Sequence, residues 1–209
     1  MYAPRLHQET DWNNIAEFIR KHSFALLISI QDGLPVGTHL PVELEEKMPG
    51  EYVLRGHIAN ANTQSATFTS GQTFLTVFSD PHAYISSSWY EKDKIPTWNY
   101  IAVHIYGTLR IQSEQELTES LTALMNKYEA ASAHPVSISD IGEKELHNNL
   151  KAITGFEITI TRVDTRFKLS QNKNEKDYAS VVQHLQNDPN SQSQEIAAEM
   201  LKRSGDLKK

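Results

Sequence analysis

Between Pro81 and Gly107 the run PHAYISSSWYEKDKIPTWNYIAVHIYG gathers two of the chain's three tryptophans and four of its eight tyrosines. It also holds His82, His104, Asn99 and the serines 86–88. Flat rings interleaved with hydrogen-bonding groups suit an aromatic or apolar ligand, because pockets are mostly apolar walls with a few placed polar fixtures. The same rings could fill an ordinary core, where aromatics supply much of the buried area. A second run, Arg55-Gly56-His57-Ile58-Ala59-Asn60-Ala61-Asn62, places a cation and amides where a strand gives way to a loop. Such donors suit a phosphate, although asparagines also shape turns for their own backbone. A third, FKLSQNK at 167–173, sets Lys168 and Lys173 beside Ser170, Gln171 and Asn172. It could edge a heterocycle or cap a following helix.

Other chemistries find no support. The nine histidines form no His-x-His, no Glu-x-x-His and no helical i, i+4 pair, so no metal site is expected. With no cysteine in the chain, disulfides, thiolate metal sites and a cysteine nucleophile drop out. The serines 86–88 lack a Gly-x-Ser-x-Gly elbow, and neither nucleotide-binding glycine motif is present. No catalytic acid, base or nucleophile stands out.

A length of 209 residues fits one large domain, or one with a helical appendage. A net charge of −6 and a pI near 5.8 oppose broad attachment to nucleic acid, which needs a basic face. The opening MYAPRLHQETDW has neither the basic start nor the apolar run of an export signal. No stretch approaches the ~20 apolar residues of a membrane span, so a soluble, cytoplasmic protein is expected.

The elements that must position these groups follow from periodicity. Thr10 or Asp11 caps a helix to about Lys21, with Trp12, Ile15, Phe18 and Ile19 on one face. FALLISIQ and PVGTHLPVELEE flank Asp32-Gly33 as a hairpin, and Pro41 marks the second strand as an edge or a bulge. Pro49-Gly50 turns into the strand EYVLRGHI. A polar loop with one helical turn follows, then a short strand FLTVFS that ends at Asp80-Pro81. Residues 97–112 form a long strand with a bulge or close backbone approach at Gly107. Ser113 and Glu116 make a capping box for a helix to about Ala131. Asp140 caps a short helix, and the strand GFEITITRVDTRFKLS puts Phe156, Ile158 and Ile160 on one face. Helices follow over Asp177–Gln186 and from Ser193 to Lys202, and the polar tail after Arg203 is expected to be mobile. Strands first and helices late make an α+β chain on an antiparallel barrel.

MYAP, RGHIANAN, PHAYISSSWY with PTWNYIAVHIYG, and GFEITITRVDTRFKLSQNK together resemble the PaiB family of FMN-binding negative transcriptional regulators. The likeness runs from Met1 to about Lys173. It implies a split barrel of the pyridoxamine-phosphate-oxidase type over 1–173, with 174–209 a helical extension packed on it. It also implies a cytoplasmic homodimer with FMN at the subunit interface. The implied cofactor contacts are His57, Asn60 and Asn62 toward the phosphate, Trp98, Asn99, Tyr100, Lys168, Ser170, Gln171 and Asn172 toward the ring or interface, and His39 and Arg55 elsewhere in the cofactor site. Two departures stand out: the family usually has arginine where this chain has Asn60, and proline where it has Ser87. The implied function is regulation of protease synthesis and sporulation, with direct DNA contact possible but unsupported by charge. Two alternatives are a flavin-dependent oxidoreductase acting on a small aromatic or quinone-like acceptor, and a haem-binding or haem-degrading barrel.

Overall fold

The computed structural model describes residues 1–69 and 71–203. Asp11 opens α1 (Trp12–Lys21) by accepting the Asn13 amide at 2.9 Å. The expected apolar face is the buried one, with Ile15, Phe18 and Ile19 enclosed. β1 (Phe24–Gln31) and β2 (Leu34–Met48) form the hairpin. Asp32 and Gly33 take φ of 53° and 79° at its tip, the left-handed pair whose twist matches that of the flanking strands. β3 (Glu51–Ala59), β4 (Thr73–Ile85), β5 (Thr97–Ile111) and β6 (Ile153–Lys168) complete the sheet. The strands hydrogen-bond in the closed order β1-β2-β3-β6-β5-β4. The helices are α2 (Glu114–Glu129), α3 (Glu143–Lys151), α4 (Glu175–Asn187) and α5 (Ser191–Lys202). The fold is α+β and antiparallel, as the order of elements predicts.

Three local expectations are corrected. Pro41 lies on neither an edge nor a bulge: β2 runs between β1 and β3, and its register shift falls between Glu46 and Met48. Pro41 pairs with Phe24 at the last step of the β1 ladder, and the β3 ladder begins at Val42. The missing N–H therefore falls where the strand changes partners. β4 does not end at Asp80-Pro81 but runs through it, the peptide bond being cis. Alternation resumes beyond it, with Pro81, Ala83 and Ile85 buried and His82 and Tyr84 exposed, so the inward face carries the strand on. Asp140 does not cap α3, whose N-cap is Gly142 and has no side-chain cap. Instead its carboxylate accepts the Ser137 amide at 2.8 Å, closing a turn just upstream.

The close approach at Gly107 is present. A Cβ there would lie 2.4 Å from both the Ile158 side chain and the Thr159 carbonyl, nearer than any side chain tolerates. The capping box on α2 forms as expected, and Ser113 and Glu116 each accept the other's amide. The tail after Arg203 lies outside the described residues.

The chain divides into two compact units. One comprises 1–15, 78–104 and, of the described residues, 164–203, so that α4 and α5 belong with the ends of β4, β5 and β6. The other comprises 16–77 and 105–163.

Candidate functional site

In the first unit the groups singled out near 98–100 and 167–173 come together. Asn99 is fully buried and exchanges hydrogen bonds with Ser170: Nδ2 donates to Oγ at 2.9 Å, and Oγ lies 3.2 Å from Oδ1. That clamp holds Ser170 at a φ of 60°, a left-handed conformation uncommon outside glycine. Gln171 fixes the same turn, its Oε1 accepting the Leu169 amide at 2.7 Å while its Nε2 donates to the Phe167 carbonyl. His7 Nδ1 lies 3.0 Å from that Oε1. Lys168 donates to the Thr97 hydroxyl. Lys173 pairs with Asp93 and sits over the Tyr90 ring. Asn172 is exposed.

Trp98 stands 52% exposed. The His82 ring lies 5.8 Å from it and the Tyr84 ring 5.7 Å. Asp80, His82, Trp98 and Tyr100 line an open groove of about 560 Å³. Arg166 places its guanidinium 5.4 Å from the Tyr100 ring and gives one N–H to the Tyr2 carbonyl at 2.7 Å. Its Nε is buried without a partner. Among the described residues neither Arg166 nor Lys168 has a carboxylate within ion-pairing distance. Burial, and then the nearby charges of Arg166 and Lys173, hold Lys168 below the usual lysine pKa. Burial likewise lowers His7, with Arg166 and Lys168 adding to the effect against the Gln171 contact. Arg166 beside the Tyr100 ring, with Lys168 two residues along the same strand and neither paired with a carboxylate, forms a donor set that fits an aromatic anion.

The sequence reading passed over Arg166, His7 and Tyr2. Arg166 was legible, since it lies two residues from Lys168 on one strand and so shares its face. His7 and Tyr2 were not, because about 160 residues of chain separate them from their contacts.

In the second unit the residues expected near a phosphate are engaged otherwise. Arg55 is tied to Glu157 at 3.0 Å and to Glu45 at 2.7 Å. Glu157 is only 2% exposed and also takes Lys47 and Arg110, each at 3.0 Å. Burial alone would raise the Glu157 pKa, but hydrogen bonds from Lys47 and Arg55 and the charge of Arg110 outweigh it and hold it below the carboxylate range. Asn60 donates to the Lys151 carbonyl at 2.8 Å and accepts from the Thr154 hydroxyl at 2.6 Å. Asn62 caps the turn 63–67 by accepting the Gln64 amide at 3.0 Å, and donates to Thr38. Both asparagines therefore shape turns. His57, its pKa lowered by burial, faces a small cavity of about 140 Å³ that Glu43, Arg55 and Lys127 also line. His39 stacks on Phe24 at 6.2 Å.

No described helix is long and apolar enough to cross a membrane. The sequence matches the family described as "Putative FMN-binding domain" over residues 1–162. It is 40% identical over 197 residues to Protease synthase and sporulation protein PAI 2 of Bacillus subtilis (strain 168), covering 94% of this chain and 95% of that protein. It is 27% identical over 228 residues to Uncharacterized protein AN0679 of Emericella nidulans, covering 90% and 91%. Among solved structures, the FAD and heme binding protein from Mycobacterium smegmatis is similar with a TM-score of 0.61 at 14% identity, over 83% of this chain and 80% of that one. The flavocytochrome Anf3 from Azotobacter vinelandii gives 0.60 at 14%, over 85% and 78%. These two likenesses bear on the fold, an antiparallel split barrel. A family pattern running from residue 1 to 162, and a relative aligned along nearly the whole length, lead to one conclusion: the chain belongs to the PaiB family.

Proposed function

We propose that this protein binds FMN in the first unit and acts as a dimeric, PaiB-like regulator of protease synthesis and sporulation. The observation that carries the cofactor reading is the pairing of Arg166 and Lys168, two cations without carboxylate partners, with the Trp98–Tyr100 shelf. FMN is an aromatic ring system bearing an anion, and that combination satisfies both features. Arg166 and Lys168 would meet negative charge, and Trp98 and Tyr100 would lie against a flat ring. Asn99, Ser170 and Gln171 would hold the turn that presents Lys168. Arg55, Asn60 and Asn62 have their polar atoms committed to protein partners, which argues for a phosphate held chiefly by other groups. When bound, FMN supplies hydride or single-electron chemistry; the protein contributes binding and electrostatics. The family description and the name of the Bacillus subtilis relative support the cofactor and the regulatory role respectively.

The test is the visible absorption spectrum of the purified protein before and after equilibrium titration with FMN. Saturable binding at micromolar FMN is expected, and no spectral change there would end the cofactor reading. For the regulatory role, gel retardation across a salt series separates direct DNA contact from action through another protein, because phosphate-mediated binding falls steeply with salt.

A further inference from the structure

Residues 1–9 lie against the end of β6, in the same compact unit, as a strap without a core of its own. None of them is buried, and the helical turn Arg5–His7 encloses no side chain. Polar contacts hold the strap instead. The Met1 amino group pairs with Asp164 at 2.6 Å. The Thr165 hydroxyl accepts the Glu9 amide at 2.9 Å and donates to the Glu9 carbonyl at 2.8 Å. His7 meets Gln171, and the Glu9 carboxylate lies 3.6 Å from Arg203. Between these ties the Tyr2 carbonyl accepts Nη1 of Arg166 at 2.7 Å. A surface segment held this way, with little apolar area to lose, opens locally at small free energy.

The strap also stands on a group that an anion needs. Arginine grips an anion best through two parallel N–H bonds, from Nη1 and Nη2 or from Nε and Nη2. In Arg166 the first pair is broken because Tyr2 holds Nη1. The second is broken because Nε is closed off from solvent and has no partner. No two-point grip is open while the strap is docked. The Tyr2 carbonyl is neutral, and a hydrogen bond to an ionised acceptor is roughly twice as strong, so an anion that reaches Arg166 displaces it.

We propose that the 1–9 strap is an autoinhibitory latch on the ligand site of the first unit: it releases Arg166 before an anionic ligand is gripped, and the bound ligand in turn keeps the strap free. The inference rests on the cofactor reading above and adds its regulation. The coupling is reciprocal, so whatever loosens the strap tightens the ligand.

The test is hydrogen exchange of the full chain with and without FMN, read at the amides of His7, Gln8 and Glu9, which are hydrogen-bonded in the docked strap. Saturation, followed in the visible spectrum, should speed exchange there by about tenfold or more. Bound FMN with exchange unchanged or slowed overturns the latch and spares the cofactor. If FMN does not bind, the cofactor reading falls by itself, and millimolar inorganic phosphate becomes the probe, against chloride at matched ionic strength. Faster exchange in phosphate is then expected, and equal rates overturn the latch. Thr165→Val gives an independent reading, since it removes both ties to Glu9 and leaves Arg166 and Lys168 in place. It should tighten FMN binding about five- to a hundredfold, the range spanned by two neutral hydrogen bonds, with an unchanged far-ultraviolet spectrum. Unchanged or weaker binding overturns the proposal. Should that variant fail to fold, exchange in the wild type decides alone.

Discussion

Lys168, half-buried, and Glu157, buried, are both charges on β6, and their surroundings give them opposite roles. Lys168 has a hydroxyl for company and no carboxylate, so its charge remains available to a ligand. Lys168→Ala should weaken FMN binding about ten- to a hundredfold, since a charge-assisted hydrogen bond is worth ~1.5–3 kcal/mol. Titration of both proteins checks it, and unchanged affinity would move the site elsewhere. Glu157 by contrast is consumed by Lys47, Arg55 and Arg110. Glu157→Gln leaves three cations facing a neutral amide and should cost about 3 kcal/mol of stability at pH 7. Because the folded pKa of Glu157 is depressed, its contribution is complete above the ordinary carboxylate value of ~4.3. It fades as the pH falls through the lower folded value. Melts of the two proteins should therefore converge in acid, and a gap that widens there would refute the assignment.

The elements that carry these residues are held by contacts which sequence periodicity signals only in part. Asn60 stands where the family usually has arginine, and here its side chain ties the end of β3 to the turn between α3 and β6. Asn60→Ala should lower stability by about 1–2 kcal/mol through the lost pair of hydrogen bonds while leaving FMN affinity within twofold. Urea unfolding and titration on one preparation separate the effects, and a large loss of affinity would return Asn60 to the phosphate. At Gly107 the close approach of neighbouring β6 leaves no room for a methyl group. Gly107→Ala should cost about 1–3 kcal/mol by overpacking, again read by urea unfolding. Gly107 was legible as a glycine inside a strand pattern. The passage of β4 through Asp80-Pro81 was not, because a proline is a local stop signal and only burial of Pro81, Ala83 and Ile85 against the interior overrides it.

For the whole molecule, a ligand that binds only the folded state stabilises it by mass action. FMN at a hundred times its Kd should add about 2.7 kcal/mol and raise Tm by several degrees in a thermal scan; an unmoved Tm would contradict specific binding. A net charge of −6 predicts no retardation of arbitrary duplex DNA at physiological salt, and retardation there would demand a basic patch made by assembly. Strand and helix order, the Asp32-Gly33 hairpin, the Ser113 capping box and the family motifs were all written in short stretches of chain, where period and turn chemistry act over a few residues. The sequence by itself thus determined an antiparallel α+β barrel of the PaiB family. Only the tertiary structure decided which polar groups stay free. Arg55, Asn60 and Asn62 resemble Lys168 as phosphate donors in one dimension, but their partners Glu157, Lys151 and Thr38 lie from 24 to 102 residues away. Whether a donor is consumed or offered depends on which distant strand the sheet lays beside it. Likewise FALLISI is apolar at nearly every position, and only the tertiary structure decides which face points outward, leaving Phe24 and Ile30 exposed.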